Sequence, residues 1–172
     1  MSQSSSILLQ TRRFQVVSQQ WRDPDGKLHQ RETIQHSGAV TIIPMVDRAR
    51  VCLIRNFRVA VGETLIELPA GTRESGEHPA LTARRELAEE TGYVAGELSE
   101  FFMSPGILNE RMSLFLATDL MLGETQLDEG EQIERLVVPW REALQMADDG
   151  RIRDAKTLAG LYYYDRRRSS SQ

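Results

Sequence analysis

The sequence has one cysteine, no long hydrophobic run and no excess of positive charge. Cys52 is the only cysteine among 172 residues, so no disulfide can form within the chain, and a reducing compartment is expected. No apolar stretch could span a bilayer, and the N-terminus lacks the basic start and hydrophobic region of a secretion signal. The formal net charge of -4 gives no global attraction for nucleic acid or anionic membranes. These absences predict a cytoplasmic protein that binds neither nucleic acid nor membrane.

The patterning of the chain predicts one main domain with both strands and helices. Alternating residues on both sides of "DPDG" predict a β-hairpin over residues 12–35. Further strands are predicted at "AVTIIPMV", "RVCLIRNF", "TLIELPAG", "SEFFMS", "RMSLFLATDL" and "RLVVPW". Helices are predicted over residues 79–91 and at "REALQMADDG" and "DAKTLAGLYYYDRR". This order indicates an α+β fold or a layered α/β/α sandwich with a small N-terminal sheet.

Three segments are predicted along the chain. Residues 1–36 form a hairpin subdomain that is too small to be stable alone, residues 37–166 form the main domain, and residues 167–172 form a disordered tail. The subdomain therefore needs a packing partner.

The helix predicted over residues 79–91 carries three glutamates close together. Residues four apart on a helix are neighbours, so Glu86 and Glu90 repel each other by a few tenths of a kcal/mol. Arg85 has helical spacing to Glu89 alone, and we expect Glu86 and Glu90 to have no basic neighbour. A divalent cation such as Mg²⁺, held by carboxylates, would offset the repulsion and keep waters for a phosphate to displace. A solvated charged face is the alternative that spacing alone leaves open.

The flanking residues favour the metal site. The stretch fits G-x5-E-x7-R-E-U-x-E-E-x-G-U, where U is apolar or aromatic, at each fixed position: Gly71, Glu77, Arg85, Glu86, Leu87, Glu89, Glu90, Gly92 and Tyr93. This pattern resembles the signature of the Nudix hydrolases. The resemblance implies a loop, helix and loop on an α/β/α sandwich, where a divalent metal helps water to cleave a diphosphate linked to another moiety.

The resemblance also implies a role for each motif residue. Three residues would hold the metal through oxygen atoms: Glu86, Glu90 and the carbonyl of Ala70. Glu89 would be a further ligand or would orient the attacking water. Arg85 would orient the glutamates, and Glu77 would bind Arg85 or brace the loop. Mg²⁺ is the expected cofactor, with Mn²⁺ as an alternative.

Segments outside the motif resemble those of the ADP-ribose and nucleotide-sugar pyrophosphatases. They are, in order, "HSGAVTIIP", "LIRNFR", "ELPAG", "MSPGILNE", "DEGEQIE" and "RIRDAKT". Two positions differ, with Ser37 where proline is frequent and Asn56 where glutamine is frequent. The resemblance implies hydrolysis of ADP-ribose or a related nucleoside diphosphate sugar to a nucleoside monophosphate and a sugar phosphate. It also implies a homodimer in which the N-terminal sheet packs against the second subunit.

Residues outside the motif are predicted to contact the substrate or the attacking water. Arg58 suits a phosphate clamp, with an ordinary exposed arginine as the alternative. By resemblance, Glu131 of the acidic loop is the catalytic base or a further metal ligand, and Glu129 is second; a solvated loop is the alternative. Pro105 and Gly106 form a turn that, by resemblance, borders the substrate.

An aromatic residue and two alternative functions complete the predictions. Trp21 would stack on the base, unless it is a core or dimer-interface residue. His36 and Cys52 receive no chemical role. The first alternative function is a noncatalytic Nudix domain that senses a ligand, which the intact set of glutamates disfavours. The second is hydrolysis of a nucleoside triphosphate or a CoA derivative.

Overall fold

A computed structural model of the chain describes residues 4–74, 76–90, 95–118, 120 and 133–170, and for residues 4, 88–90 and 95–98 the backbone alone. The strands of this part are β1 (Ser4–Gln10), β2 (Phe14–Arg22), β3 (Leu28–His36), β4 (Ala39–Pro44), β5 (Arg50–Arg58), β6 (Glu63–Glu67), β7 (Ala70–Thr72), β8 (Ala95–Phe102), β9 (Arg111–Ala117) and β10 (Ile133–Pro139). Its helices are α1 (Pro79–Glu90), α2 (Trp140–Asp148) and α3 (Ala155–Ser169).

The N-terminal sheet contains β1, β2 and β3 in that order, all antiparallel. The predicted hairpin is confirmed as β2 and β3. In its turn, Asp23 Oδ1 accepts a hydrogen bond from the Lys27 N–H at 2.9 Å, and Gly26 has a φ of 82°. Strand β1 was not predicted, because its serine-rich sequence has no alternation of its own and the strand forms by pairing with β2.

Two further sheets form the main domain. The mixed sheet has the order β7-β4-β9-β8, in which β4 and β9 are parallel and the outer strands are antiparallel to them. The other sheet is antiparallel, with the order β10-β5-β6.

The prediction of a single strand at "TLIELPAG" is wrong. Strand β6 ends at Glu67 and pairs with β5, whereas β7 begins at Ala70 and pairs with β4. The N–H of Leu68 donates to Thr157 Oγ1 at 2.8 Å, and Pro69 has no N–H. Neither residue continues the ladder of β6, so the chain crosses from one sheet to the other at this point.

Helix α1 covers one face of the mixed sheet. Its buried Ala83 and Leu87 pack in one cluster with Val40 and Ile42 of β4 and Phe115 of β9. The apolar side of α1 is therefore fixed against the sheet, and this contact sets which way the rest of the helix faces.

The opposite face of the mixed sheet packs against α2, α3 and the antiparallel sheet. The side chains of Ile43 (β4) and Leu114 (β9) point to this side. They pack in a second buried cluster with Leu53, Met146 and Leu161. With α1 on the first face and α2 and α3 on the second, the predicted α/β/α sandwich is confirmed.

Two features near the C-terminus complete the fold. Helix α3 continues to Ser169, three residues into the segment 167–172 that was predicted to be a disordered tail. In the part of the chain that the structure describes, no helix is both long enough and apolar enough to cross a membrane.

Candidate active site

Glu86 of α1 lies directly against the backbone of β7. A Cβ atom at position 71 would overlap all the carboxylate atoms of Glu86, so only glycine leaves room for this side chain. The side chain of Glu86 is 14% exposed. Because Gly71 follows Ala70, the contact brings the Glu86 carboxylate to the end of the "ELPAG" segment.

Arg85 holds this arrangement together. Its Nη1 lies 2.8 Å from Glu86 Oε1, and its Nη2 lies 3.5 Å from Glu77 Oε2 and donates to the Thr72 carbonyl at 3.3 Å. The prediction that Glu86 has no basic neighbour is wrong. Helical spacing describes where side chains leave the helix, but the long arginine side chain reaches the carboxylate of the next residue. Arg85 also contacts Glu77, and this contact is one of the two roles predicted for Glu77.

Glu77 is an anion that braces the loop before α1. Burial acts to raise the pKa of its carboxyl, but the hydrogen bond from the Glu74 N–H and the contact with Arg85 outweigh burial and lower it. Glu77 therefore remains charged at neutral pH, and it contacts Nη2 of Arg85 whereas Glu86 contacts Nη1.

The oxygen atoms near Gly71 suit a hard divalent cation. The Glu86 carboxylate lies beside Gly71, Ala70 is the residue before it, and position 90 is one helical turn beyond Glu86. Carboxylate and carbonyl oxygens are the ligands that such a cation takes. Among the side chains that the structure describes, no three His, Cys, Asp or Glu residues form a group that could hold a metal. The side chains of Glu89 and Glu90 lie outside those described.

Arg58 lies at the end of β5 and forms a paired contact with Glu67, the last residue of β6. Arg58 Nε is 2.8 Å from Glu67 Oε1, and Arg58 Nη2 is 2.5 Å from Glu67 Oε2. The Glu67 side chain is only 1% exposed, whereas that of Arg58 is 40% exposed. Arg58 is therefore not an ordinary surface arginine, because a buried carboxylate holds the orientation of its guanidinium.

A second cation reaches Glu67 from α3. Lys156 Nζ lies 2.5 Å from Glu67 Oε2 and 2.9 Å from Asp154 Oδ2. Burial acts to raise the pKa of Glu67, but Arg58 and Lys156 outweigh it and lower the pKa below the ordinary value. Glu67 is thus a buried anion between two cations.

Comparisons with known proteins identify the family. The sequence profile of the NUDIX domain matches residues 35–161. The chain belongs to the Nudix family. ADP-ribose pyrophosphatase of Bacillus subtilis (strain 168) is 39% identical over 145 residues, which are 81% of this chain and 78% of that protein. The methanol dehydrogenase activator of Bacillus methanolicus is 35% identical with the same coverage of both chains. GDP-mannose pyrophosphatase of Klebsiella pneumoniae is 38% identical over 154 residues, 81% of this chain and 77% of that protein.

A solved structure has the same fold. The crystal structure of an ADP compounds hydrolase matches with a TM-score of 0.83 and 23% identity, and the match covers 98% of this chain and 93% of the other. Nudix hydrolases generally need a divalent metal, and the oxygen donors near Gly71 fit this need.

The side chains of four predicted site residues lie outside the part of the chain that the structure describes. Glu129 and Glu131 lie outside the described residues, as do the side chains of Glu89 and Glu90. Glu134 is described: it is exposed on β10, where it pairs with Arg55 of β5. The predicted roles of the four residues remain predictions.

Trp21 stands on the N-terminal sheet near the hairpin turn. Its ring stacks on His29, the residue opposite it on β3, with centroids 5.3 Å apart, and Arg31 lies 5.7 Å from the ring centroid. His29 is held in place by Asp23 at 2.8 Å. The aromatic ring therefore has a fixed orientation on the sheet of this Nudix protein.

Pro105 and Gly106 occupy an exposed turn, as the sequence predicts. The Ser104 carbonyl accepts hydrogen bonds from the N–H groups of Ile107 and Leu108 at 3.1 and 2.9 Å. The loop is bonded to the N-terminal sheet, since the Ile34 N–H donates to the Ile107 carbonyl at 2.8 Å. The turn thus joins the two parts of the chain.

Sequence reasoning missed the chemical importance of Glu67 and Lys156. Both were within segments that resemble the family, "ELPAG" and "RIRDAKT", but neither was given a role. A charged residue between Ile66 and Leu68, at the end of an apolar strand, is the signal that could have identified Glu67 as a buried, paired group.

Proposed function

We propose that the protein hydrolyses the diphosphate of ADP-ribose or a related nucleoside diphosphate sugar, with Mg²⁺ as its cofactor. The products would be a nucleoside monophosphate and a sugar phosphate. The observation that supports this proposal most is the position of the Glu86 carboxylate, which lies against Gly71 and contacts Arg85. A glutamate on a merely solvated helix face would not need such a fixed orientation. The names of two relatives, ADP-ribose pyrophosphatase and GDP-mannose pyrophosphatase, support this substrate class.

Three residues would hold the metal through oxygen: Glu86, Glu90 and the Ala70 carbonyl. Bound Mg²⁺, with Mn²⁺ as an alternative, would neutralise phosphate charge and lower the pKa of a coordinated water. Arg85 would keep the Glu86 carboxylate in place through its 2.8 Å contact. Glu89 would bind metal as well or orient the attacking water.

The substrate diphosphate would lie against Arg58, whose guanidinium is oriented by Glu67 and reaches solvent. Glu131, with Glu129 as the second choice, would accept the proton of the attacking water. Trp21 would stack on the base, and Pro105 and Gly106 would border the substrate.

The same proposal includes a homodimer in the cytoplasm. The apolar side chains of β1, an edge strand of the N-terminal sheet, are more than half exposed, as a surface that meets a second subunit would be: Ile7, Leu8 and Leu9.

A substrate panel tests the proposed activity. The purified chain would be assayed with Mg²⁺ against ADP-ribose, GDP-mannose, a nucleoside triphosphate and a CoA derivative, and the products would be identified by chromatography. We expect the highest kcat/KM for one of the two diphosphate sugars, with the monophosphate and the sugar phosphate formed in equal amounts. Hydrolysis of the triphosphate or the CoA derivative alone would overturn the substrate class.

A regulatory function is the second candidate, because one relative is named a methanol dehydrogenase activator. A domain that only senses its ligand would bind ADP-ribose in calorimetry without forming products. Binding without turnover in the presence of Mg²⁺ and Mn²⁺ would favour this function over hydrolysis.

A further inference from the structure

A buried carboxylate between two cations links α3 to the predicted phosphate clamp. Glu67 binds Arg58 through both oxygens and shares Oε2 with Lys156, whose side chain is 7% exposed. Burying such ions carries a large desolvation cost, and apolar residues of similar volume often give equal or greater stability. Stability alone therefore does not explain the arrangement.

The buried end of this group is anchored to the backbone. Asp154, which contacts Lys156, also caps α3 by accepting hydrogen bonds from the Thr157 N–H at 3.0 Å and the Thr157 hydroxyl at 2.6 Å. Thr157 Oγ1 in turn accepts the Leu68 N–H, directly after Glu67. The start of α3 thus fixes Lys156 and the backbone beside Glu67 together.

The charges of the group balance. Two carboxylates, Glu67 and Asp154, meet two cations, Arg58 and Lys156, so the four side chains are neutral in sum. Without Lys156 the sum would be one negative charge, placed behind the arginine that the proposed function assigns to an anionic diphosphate. That charge would weaken the field that Arg58 offers, because the surroundings are buried and screen it poorly.

We propose that Lys156 is a positioning residue for the diphosphate, acting through Glu67 on Arg58. Lys156 offsets part of the negative charge of Glu67 and fixes the orientation of its carboxylate. Arg58 therefore presents its guanidinium to the substrate in one orientation, and its positive charge is little reduced by Glu67. This inference rests on the proposed contact of Arg58 with the diphosphate. It gives the start of α3 a part in substrate binding that the metal site does not supply.

The test compares Lys156→Met with the double variant Lys156→Met and Asp154→Asn in the full chain. Lys156→Met leaves the group with a charge of -1, and we expect KM for ADP-ribose to rise on the order of tenfold, with kcat changed less than threefold. The double variant restores a sum of zero, and asparagine caps a helix about as well as aspartate. We expect the double variant to reverse at least half of the rise in KM on a logarithmic scale. A purely structural role of Lys156 would not allow this recovery.

Controls separate this inference from the proposed function. Arg50→Met removes an exposed cation whose partner is Asp47, and its KM should stay within twofold of the parent. Lys156→Gln supplies a second neutral side chain, with melting curves to establish folding, should Lys156→Met fail to fold. An unchanged KM, a loss in kcat alone, or no recovery in the double variant would overturn the role of Lys156. A parent chain that hydrolyses no diphosphate sugar would instead overturn the proposed function.

Discussion

At the scale of single residues, the site depends on one missing methyl group. Gly71 has no Cβ, and the Glu86 carboxylate takes up the space where a Cβ would stand. The orientation of a charged side chain is thus determined by a backbone position on another element, and Arg85 then fixes it by charge. Neither contact involves a residue of the hydrophobic core, so Gly71 and Glu86 can be changed without removing core packing.

Gly71→Ala should reduce turnover strongly because the new methyl group must push the Glu86 carboxylate out of its place. We expect a loss in kcat on the order of a hundredfold, since small displacements of a positioned group are costly. Gly76→Ala is the control: it meets no atom within 4 Å but has a φ of 80°, so it should lose about 1 kcal/mol of stability and keep its activity. Steady-state kinetics and melting curves measure both. Equal activity in the parent and Gly71→Ala would disprove the role of this contact.

Glu131→Gln should lower kcat with little change in KM, because the proposed base acts mainly in the transition state. We expect a loss of at least a hundredfold. Glu129→Gln tests the second choice, and Glu134→Gln is the matched control because Glu134 is exposed on β10. A large loss for Glu129→Gln instead moves the base by two residues, and three equal, slight effects would mean that the acidic loop is only solvated.

At the scale of elements, local signals predicted more than long-range ones. The hairpin β2–β3 and helix α1 were predicted because turn residues, Pro79 and apolar spacing lie within each segment. The break between β6 and β7 has one local signal, Pro69, which lacks an N–H, but the other cause is a hydrogen bond between Leu68 and Thr157, 89 residues apart in sequence. The motif likewise singled out Glu86 on α1, whereas the contacts of Glu67 join β5, β6 and α3, which are distant in sequence.

The junction of β5, β6 and α3 should lose stability in acid. The pKa of Glu67 is below its ordinary value of 4.5, so the unfolded chain binds the proton more readily. The contribution of Glu67 is therefore complete above the unfolded pKa and is lost as the pH falls through the lower folded pKa. Urea unfolding between pH 3 and pH 7 should show a shallower acid decline for Glu67→Gln than for the parent.

Glu67→Gln should also be less stable than the parent at pH 7, by roughly 3 kcal/mol, because two cations lose their shared partner. Glu134→Gln provides the reference for removing a glutamate that is exposed. Identical slopes with pH in the parent and Glu67→Gln would show that other carboxylates cause the acid transition.

At the scale of the whole molecule, metal binding and assembly should both appear as stability. If Mg²⁺ binds the folded chain and not the unfolded one, the melting temperature should rise with Mg²⁺ concentration, with a stabilisation of about 2.7 kcal/mol at one hundred times Kd. Calorimetric melting of the parent and of Glu86→Gln with Glu90→Gln measures this effect. The double variant should lose the dependence, and a retained dependence would place the ion elsewhere.

The same double variant should be slightly less stable than the parent without metal. Removing Glu86 relieves a repulsion of a few tenths of a kcal/mol but breaks its ion pair with Arg85, which is worth up to about 1 kcal/mol. A loss well above this value would mean that further structural contacts of the two glutamates had been removed.

The dimer prediction concerns the edge strand β1. Ile7 and Leu9 are 60% and 52% exposed, and replacing both with glutamate should convert a dimer to a monomer, because two charges would be buried at the interface. Val59→Glu with Val61→Glu is the matched control, since these valines are 83% and 59% exposed between β5 and β6. Analytical ultracentrifugation distinguishes the outcomes, and a parent that is monomeric at micromolar concentration would contradict the dimer.

The two backbone hydrogen bonds of Ile34 with the loop 104–109 bear on how this molecule can be shortened. The Ile34 N–H donates to the Ile107 carbonyl, and the Ile34 carbonyl accepts the Asn109 N–H at 3.1 Å. A chain that began at Ser37 would keep the whole metal motif but leave both loop groups without these partners. The hairpin thus stabilises the loop 104–109 in addition to its proposed part in the dimer interface. Removing it at the segment boundary would loosen a turn some seventy residues away in sequence.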